Sequence, residues 1–348
     1  MACGCAGLGE ARRTGLLIEP QDAGRVGYNV NWSTDLQVPR SSRMSAVTVL
    51  DDLILVVQTP SNLVTAIEAR NGDTRWWRIV GSKNDRVFTP VREGDRIYVN
   101  TETHIYTLSA KDGKLISGAP LEQVVTTGPA LINNFAIFGG IEGMVFGHDV
   151  NLGLSKWEYQ LTARVLTPPV PAGLDVLVAD GNGVYAVLTA LDGTLVWRGR
   201  TFGAVSVPPA ADRTSVYIAS EDQTLYALDR STGKDKWVYR ADQALKVPPT
   251  AMGMMVYLPL PGDGLVALDA VDGTERWRLA EAAWPVTVVD EQLLAATSGA
   301  LRRVDLETGE VLVQATTHKL STVLNGPDSS IILVSPRGRL TRLNPMGR

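Results

Sequence analysis

From about residue 28 to its end, the chain alternates short apolar runs with polar turns. Arg96-Ile97-Tyr98-Val99 and Ser215-Val216-Tyr217-Ile218 are typical, rich in β-branched and aromatic side chains. Runs of this length bounded by Gly, Asp and Asn predict strands. No stretch of 10 or more residues carries a helical period. The pattern is that of an all-β protein.

The strands come in a repeating order. A first strand, as in Val207-Pro208-Pro209-Ala210, is followed by the turn Ala211-Asp212-Arg213. The second strand is Ser215–Ile218 and the third Leu225-Tyr226-Ala227-Leu228-Asp229. A Gly turn then leads to a fourth strand carrying Trp237. The turn glycines are Gly72, Gly113, Gly153, Gly193, Gly233, Gly273 and Gly309, spaced by 41, 40, 40, 40, 40 and 36 residues. A fixed period near 40 with four strands per unit predicts the blades of a β-propeller.

Each repeated residue has a physical task. Glycine supplies positive φ at the hairpin between third and fourth strands. The acidic residue four before it (Glu68, Asp149, Asp229, Asp269 or Asp305) is placed to accept hydrogen bonds from the turn. The tryptophan four after it (Trp76, Trp157, Trp197, Trp237 or Trp277) is expected to pack between adjacent blades. One indole per blade is what packing demands; a single ligand-stacking site would gather them. Ser117 and Val313 stand where two copies lack the indole, so those joints are expected to be weaker. Proline recurs where each first strand begins, at Pro90, Pro129, Pro168, Pro208, Pro248 and Pro285. It is tolerated there because the innermost strand is an edge.

The ends of the chain set the blade count. After Gly309 only three strands remain: Ser321–Leu324, Ser330–Val334 and Arg339–Asn344. Near the N-terminus, Tyr28–Leu36 is an orphan strand carrying Trp32 with no Gly turn before it. Joined, these pieces make an eighth blade. The expectation is an eight-bladed propeller of four-stranded antiparallel blades over 28–348, closed by the N-terminal strand. Residues 1–27, with Gly, Arg and Pro and no periodicity, are expected to form a flexible tether.

Composition narrows the function. The net charge of −4 and the absence of a Lys/Arg run give no footprint for nucleic acid. His104, His148 and His318 lack metal-ligand spacing and are expected at solvated positions. No apolar run reaches the roughly 18–20 residues of a membrane span. The two cysteines, Cys3 and Cys5, stand among small residues near the start. They fit the end of a lipoprotein export signal whose apolar region would lie upstream, or they are incidental.

The phrase Ala267-Leu268-Asp269-Ala270-Val271-Asp272-Gly273-Thr274-Glu275-Arg276-Trp277 resembles the tryptophan-docking motif of the pyrroloquinoline-quinone-like propeller repeat family. Within it, an eight-bladed chain behind an N-terminal Cys is similar to the BamB type, propeller lipoproteins of the bacterial outer-membrane β-barrel assembly machine. That resemblance implies a non-enzymatic, periplasmic, monomeric scaffold without cofactor, lipid-anchored through Cys3 or Cys5. It also implies contact with a periplasmic domain of the barrel-inserting subunit through a Leu-x-Leu-Arg stretch. The matching place reads Leu161-Thr162-Ala163-Arg164, so Leu161 and Arg164 match and Ala163 departs. Quinoprotein dehydrogenases share the motif, but their adjacent cysteines have no counterpart here. A propeller scaffold or sensor of another ligand is the alternative.

Overall fold

The computed structural model describes residues 15–281 and 283–347, so Cys3 and Cys5 lie outside the described residues. The chain forms eight four-stranded antiparallel sheets arranged as the blades of a propeller. Blades 1 to 7 span 43–79, 91–120, 130–160, 170–200, 210–240, 250–279 and 284–316. Blade 8 is composite. Its inner strands are Thr322–Asn325, Ile331–Val334 and Arg339–Pro345, and its outer strand is Tyr28–Asp35. Tyr28 pairs with Pro345 and Asp35 with Arg339, so the ring closes between the two ends of the chain.

Burial follows strand position. The second strands Phe135–Gly139 and Ser215–Ala219 are buried along their whole length. The fourth strand Asp235–Arg240 is largely solvated, and Trp237 is its buried residue. Paired prolines stand just before the first strands that open at Val170, Ala210 and Thr250. Pro285 lies inside its strand, at a register shift that takes it out of the regular ladder. The apolar core is divided into eight buried clusters, one at each joint between neighbouring blades.

The tryptophans form the joints. The indole Nε1 of Trp32, Trp76, Trp157, Trp197, Trp237 and Trp277 donates to the carbonyls of Ala69, Ala110, Ala190, Arg230, Ala270 and Leu306, at 2.8–3.1 Å. Each acceptor belongs to the next blade around the ring. The indole also lies over that blade's turn glycine; a Cβ there would sit 2.5–2.7 Å from the ring. Glycine is thus required twice, for a φ of +68 to +78° and for the close approach of the indole. Trp77, the neighbour of Trp76, faces solvent at 44% exposure.

Two sequence expectations are corrected. Part of the supposed tether is core. Leu17, Ile18, Ala23 and Val26 are buried in one cluster with Tyr28, Ala315 and Leu320, and Val313 packs against it. The six-residue helix Pro20–Arg25 lies on the outer strand of blade 7. Leu17 is further tied by its amide to Thr341 Oγ1 and by its carbonyl to the His318 amide. The segment covers the joint where Val313 replaces tryptophan. Its apolar residues are too few to show a period, which is why the pattern alone does not reveal them. His148, expected to be solvated, is 2% exposed, whereas His104 and His318 are exposed. It stands in a core position that holds leucine in other blades, at Leu108, Leu188, Leu228 and Leu268.

If the N-terminal segment is core, Ile18→Ala costs about 2–5 kcal/mol, the usual loss for a buried aliphatic side chain. A urea unfolding midpoint unchanged by this substitution would show that the segment contributes nothing to the fold.

Candidate functional site

Strands alternate in direction within each blade, so the connections alternate between the two ends of the ring. The second-to-third turns and the interblade loops lie at one end, with the Leu161–Arg164 stretch among them.

The structure separates the two matching residues of that stretch. Leu161 is 3% exposed and packs with Ile137, Val145 and Val178 between blades 3 and 4. Its amide donates to the Gly143 carbonyl at 2.9 Å. Leu161 is therefore a core residue in this conformation, and its placement at a partner surface is corrected. Arg164 is exposed.

The loop is held by a buried carboxylate. Asp180, 0% exposed, sits in the second-to-third turn of blade 4. Its Oδ2 accepts from the Thr162 amide at 2.9 Å, the Thr162 hydroxyl at 2.8 Å and the Ala163 amide at 3.0 Å. Its Oδ1 accepts from the Asn182 and Val184 amides, both at 2.9 Å. These bonds satisfy the buried charge and fix the loop backbone next to Arg164. The Thr126 hydroxyl donates to the Val165 carbonyl at 2.7 Å, coupling this loop to the preceding interblade loop.

The next loop is built alike. Asp222 accepts from the Phe202 amide at 2.8 Å and the Tyr226 hydroxyl at 2.7 Å. Burial pulls the Asp222 carboxyl upward, but the bonds from Tyr226 and Phe202 outweigh it and hold the carboxyl below its usual value. Burial and then this bond push the Tyr226 hydroxyl up to about 12. Phe202 itself is 95% exposed.

Three successive loops thus offer apolar side chains around Arg164: Val124 with Ile141, then Leu166, then Phe202. Leu166 and Phe202 escape a repeat-based reading because that reading seeks what recurs. The signal was their departure from it: Phe202, one of only five phenylalanines, stands where the neighbouring interblade loops hold Glu122, Thr162 and Asp242.

The arrangement is one for contact. Among the described residues no group of three or more His, Cys, Asp and Glu converges on a metal position. A cleft of about 800 Å³ between blades 6 and 7 is lined by Met252, Met255, Tyr257, Asp269 and Arg276. Within it Arg276 donates to Asp269 at 2.6 Å, and Glu291, Asp305 and Glu307 also line it. No helix among the described residues is long and apolar enough to cross a membrane.

Eight blades joined by indoles laid over glycine turns define a propeller of the pyrroloquinoline-quinone-like repeat class. The family model described as "Outer membrane protein assembly factor BamB" matches residues 29–115, 101–206 and 202–326, and the chain belongs to that family. It is 27% identical over 155 residues to the outer membrane protein assembly factor BamB of Salmonella typhimurium. That alignment covers 43% of this chain and 38% of that protein, well under half of the relative's length. The crystal structure of BamB from Moraxella catarrhalis superposes with a TM-score of 0.70 at 18% identity, covering 88% of this chain and 99% of that one. The computationally designed Ika8 protein reaches 0.71 at 12% identity, covering 87% and 96%. At these identities the two structural likenesses are ones of fold.

Asp180→Ala leaves several buried amides without their acceptor, at a cost of about 2–4 kcal/mol. Amide hydrogen exchange should accelerate at Thr162, Ala163, Asn182 and Val184, but not at Phe202, which Asp222 holds. Equal acceleration at both loops would mean that Asp180 does not act locally.

Proposed function

We propose that this protein is a non-enzymatic interaction scaffold in the assembly of outer-membrane β-barrel proteins. The observation that carries the reading is the family match over residues 29–326. The interblade-loop end supports it with a rigid frame that displays the exposed Arg164 and exposed apolar side chains on the same and neighbouring loops. Rigid scaffolds presenting loops suit protein recognition, and arginine and aromatic anchors dominate interface energies. In this reading the protein is monomeric, periplasmic and binds no cofactor or nucleic acid. It meets the membrane through a lipid on Cys3 or Cys5, and its partner is the barrel-inserting outer-membrane subunit. Of the two residues first matched, Arg164 stays at the contact, and Phe202 and Leu166 take the apolar share that buried Leu161 does not supply.

Affinity capture from native membranes tests the contact. Arg164→Glu and Phe202→Ser should each weaken capture of the barrel-inserting subunit by about 30-fold or more, a loss of roughly 2 kcal/mol or greater. Both side chains are exposed, so the melting temperature should hold. If the wild type captures the subunit and both variants do so equally well, the contact lies elsewhere on the propeller. If the wild type never captures it, the assembly reading fails and a scaffold for another partner stands in its place.

Labelled palmitate tests the anchor. The exported wild type should incorporate label, and a Cys3→Ser/Cys5→Ser variant should not. Label retained in the double variant would refute both lipidation sites.

A further inference from the structure

The joint between blades 2 and 3 differs from the other joints of the ring. Six joints are filled by a tryptophan from the preceding blade. The joint between blades 7 and 8, at Val313, is covered by the chain's own segment Leu17–Val26. Among the described residues, neither device is present between blades 2 and 3. Ser117 stands at the indole position and is exposed. A Cβ built on Gly153, the turn glycine of blade 3, meets nothing within 4 Å, where the six equivalent glycines lie under an indole ring. The acceptor that would take the indole N–H is the Val150 carbonyl, by its place one residue after the turn acid Asp149.

The surroundings depart from the repeat in the same direction. The residues flanking the other turn glycines are polar, as in Asp112-Gly113-Lys114 and Thr232-Gly233-Lys234. Gly153 is flanked by Leu152 and Leu154, which are 59% and 42% exposed. Leu115 and Ile116, on the outer strand of blade 2 that faces this joint, are 47% and 53% exposed; blades 4 and 7 carry similar pairs, so the departure lies in the turn flanks. Four leucines and isoleucines in solvent around an open slot form an apolar collar.

The floor of the slot is polar and unpaired. Leu188, Leu228 and Leu268 pack in the same clusters as the docking tryptophans Trp157, Trp197 and Trp237. His148 holds that position in blade 3, and its Nδ1 is buried with no hydrogen-bond partner. Ser155, its cross-strand neighbour, has a buried hydroxyl that is also unpartnered. A buried polar atom without a partner is costly, and proteins retain few of them. Burial holds the His148 imidazole below its usual pKa against the opposing pull of Glu122 and Asp149, so the ring is neutral and can take a hydrogen bond as well as stack.

We propose that the joint between blades 2 and 3 is a docking socket for a tryptophan side chain carried by an extended segment of a partner protein. The six internal joints supply the chemistry of the occupant: a flat indole over Gly153 with its N–H on a backbone carbonyl. The apolar collar takes the neighbouring side chains of the segment. The socket lies at the end of the ring that carries the third-to-fourth turns, opposite the interblade loops. It is therefore a second contact, independent of Arg164 and Phe202.

Titration of ¹⁵N-labelled protein with N-acetyl-L-tryptophanamide tests the socket. Saturable shifts are expected at the amides of Val150 and Leu152–Leu154. The variant Trp237→Ala, which opens a socket of known shape beside Gly273, serves as positive control with shifts there. Ser117→Trp fills the slot from within and should abolish the response at blade 3. Leu152→Asp/Leu154→Lys gives Gly153 the flanks that Gly113 already has, leaves the fold intact and should weaken binding at least fivefold. No saturable shift at blade 3 in the wild type overturns the proposal, as does a shift that persists in both blade 3 variants. Sedimentation at rising protein concentration separates the occupants. A dimer that Ser117→Trp dissolves would place a second copy's own exposed Trp77 or Trp284 in the socket and overturn the partner assignment.

Discussion

The fold depends on one contact made repeatedly: an indole from one blade laid over the bare Cα of the next blade's turn, its N–H on a carbonyl 2.8–3.1 Å away. The contact combines a large buried aromatic area with a satisfied polar atom, and it needs a glycine to let the ring approach. Because it always runs from one blade to the next, it fixes the angle between them. The last indole in the circuit, Trp32, comes from the N-terminal strand and reaches Ala69 of blade 1. Arg342, only 5% exposed, donates to the same carbonyl at 2.7 Å. At the closure the indole N–H thus shares its acceptor with a buried guanidinium.

That regularity explains how much of the fold was legible in the sequence. The glycine, acid and tryptophan positions recur at one spacing, and their tasks are local, so blade number and closure could be read from residues alone. What recurs only once could not. Leu17 and Ile18 have no counterpart elsewhere, and only packing against Val313 and Ala315 shows them to be core. His148 occupies a core position whose polarity argues for the surface. Leu161 lies in a loop, and its inward direction is set by the Gly143 carbonyl and by neighbours far along the chain. The candidate site was the least legible part. The Leu–Arg match points to one interblade loop, but Asp180, which holds that loop, belongs to the next blade.

The two ends of the ring differ in how their loops are built. At the interblade end, buried carboxylates stiffen the loop backbone, so Arg164 and Phe202 are displayed on a surface that loses little entropy when it is covered. At the opposite end the turns are short and uniform, and the joint between blades 2 and 3 departs from them in its turn flanks as well as its indole. A ring made of nearly identical joints gives little room for individuality, so a joint that breaks the rule in its indole, its turn flanks and its floor stands apart from its neighbours.

The composite blade also sets an order of events in time. Ser33 and Leu340, which share a hydrogen bond across the closure, are 307 residues apart. During synthesis the strand Tyr28–Asp35 emerges first and waits for nearly the whole chain before its partner strand exists. Blades 1 to 7 can each pair their own strands as they appear, since their contacts are local. Closure cannot begin until the last residues are released, and contacts of such separation form slowly. For that interval the first strand is unpaired and the face of blade 7 that blade 8 will cover is open to wrong partners. The architecture that joins its first strand to its last therefore concentrates its exposure to misassembly in the interval before Arg339–Pro345 is made.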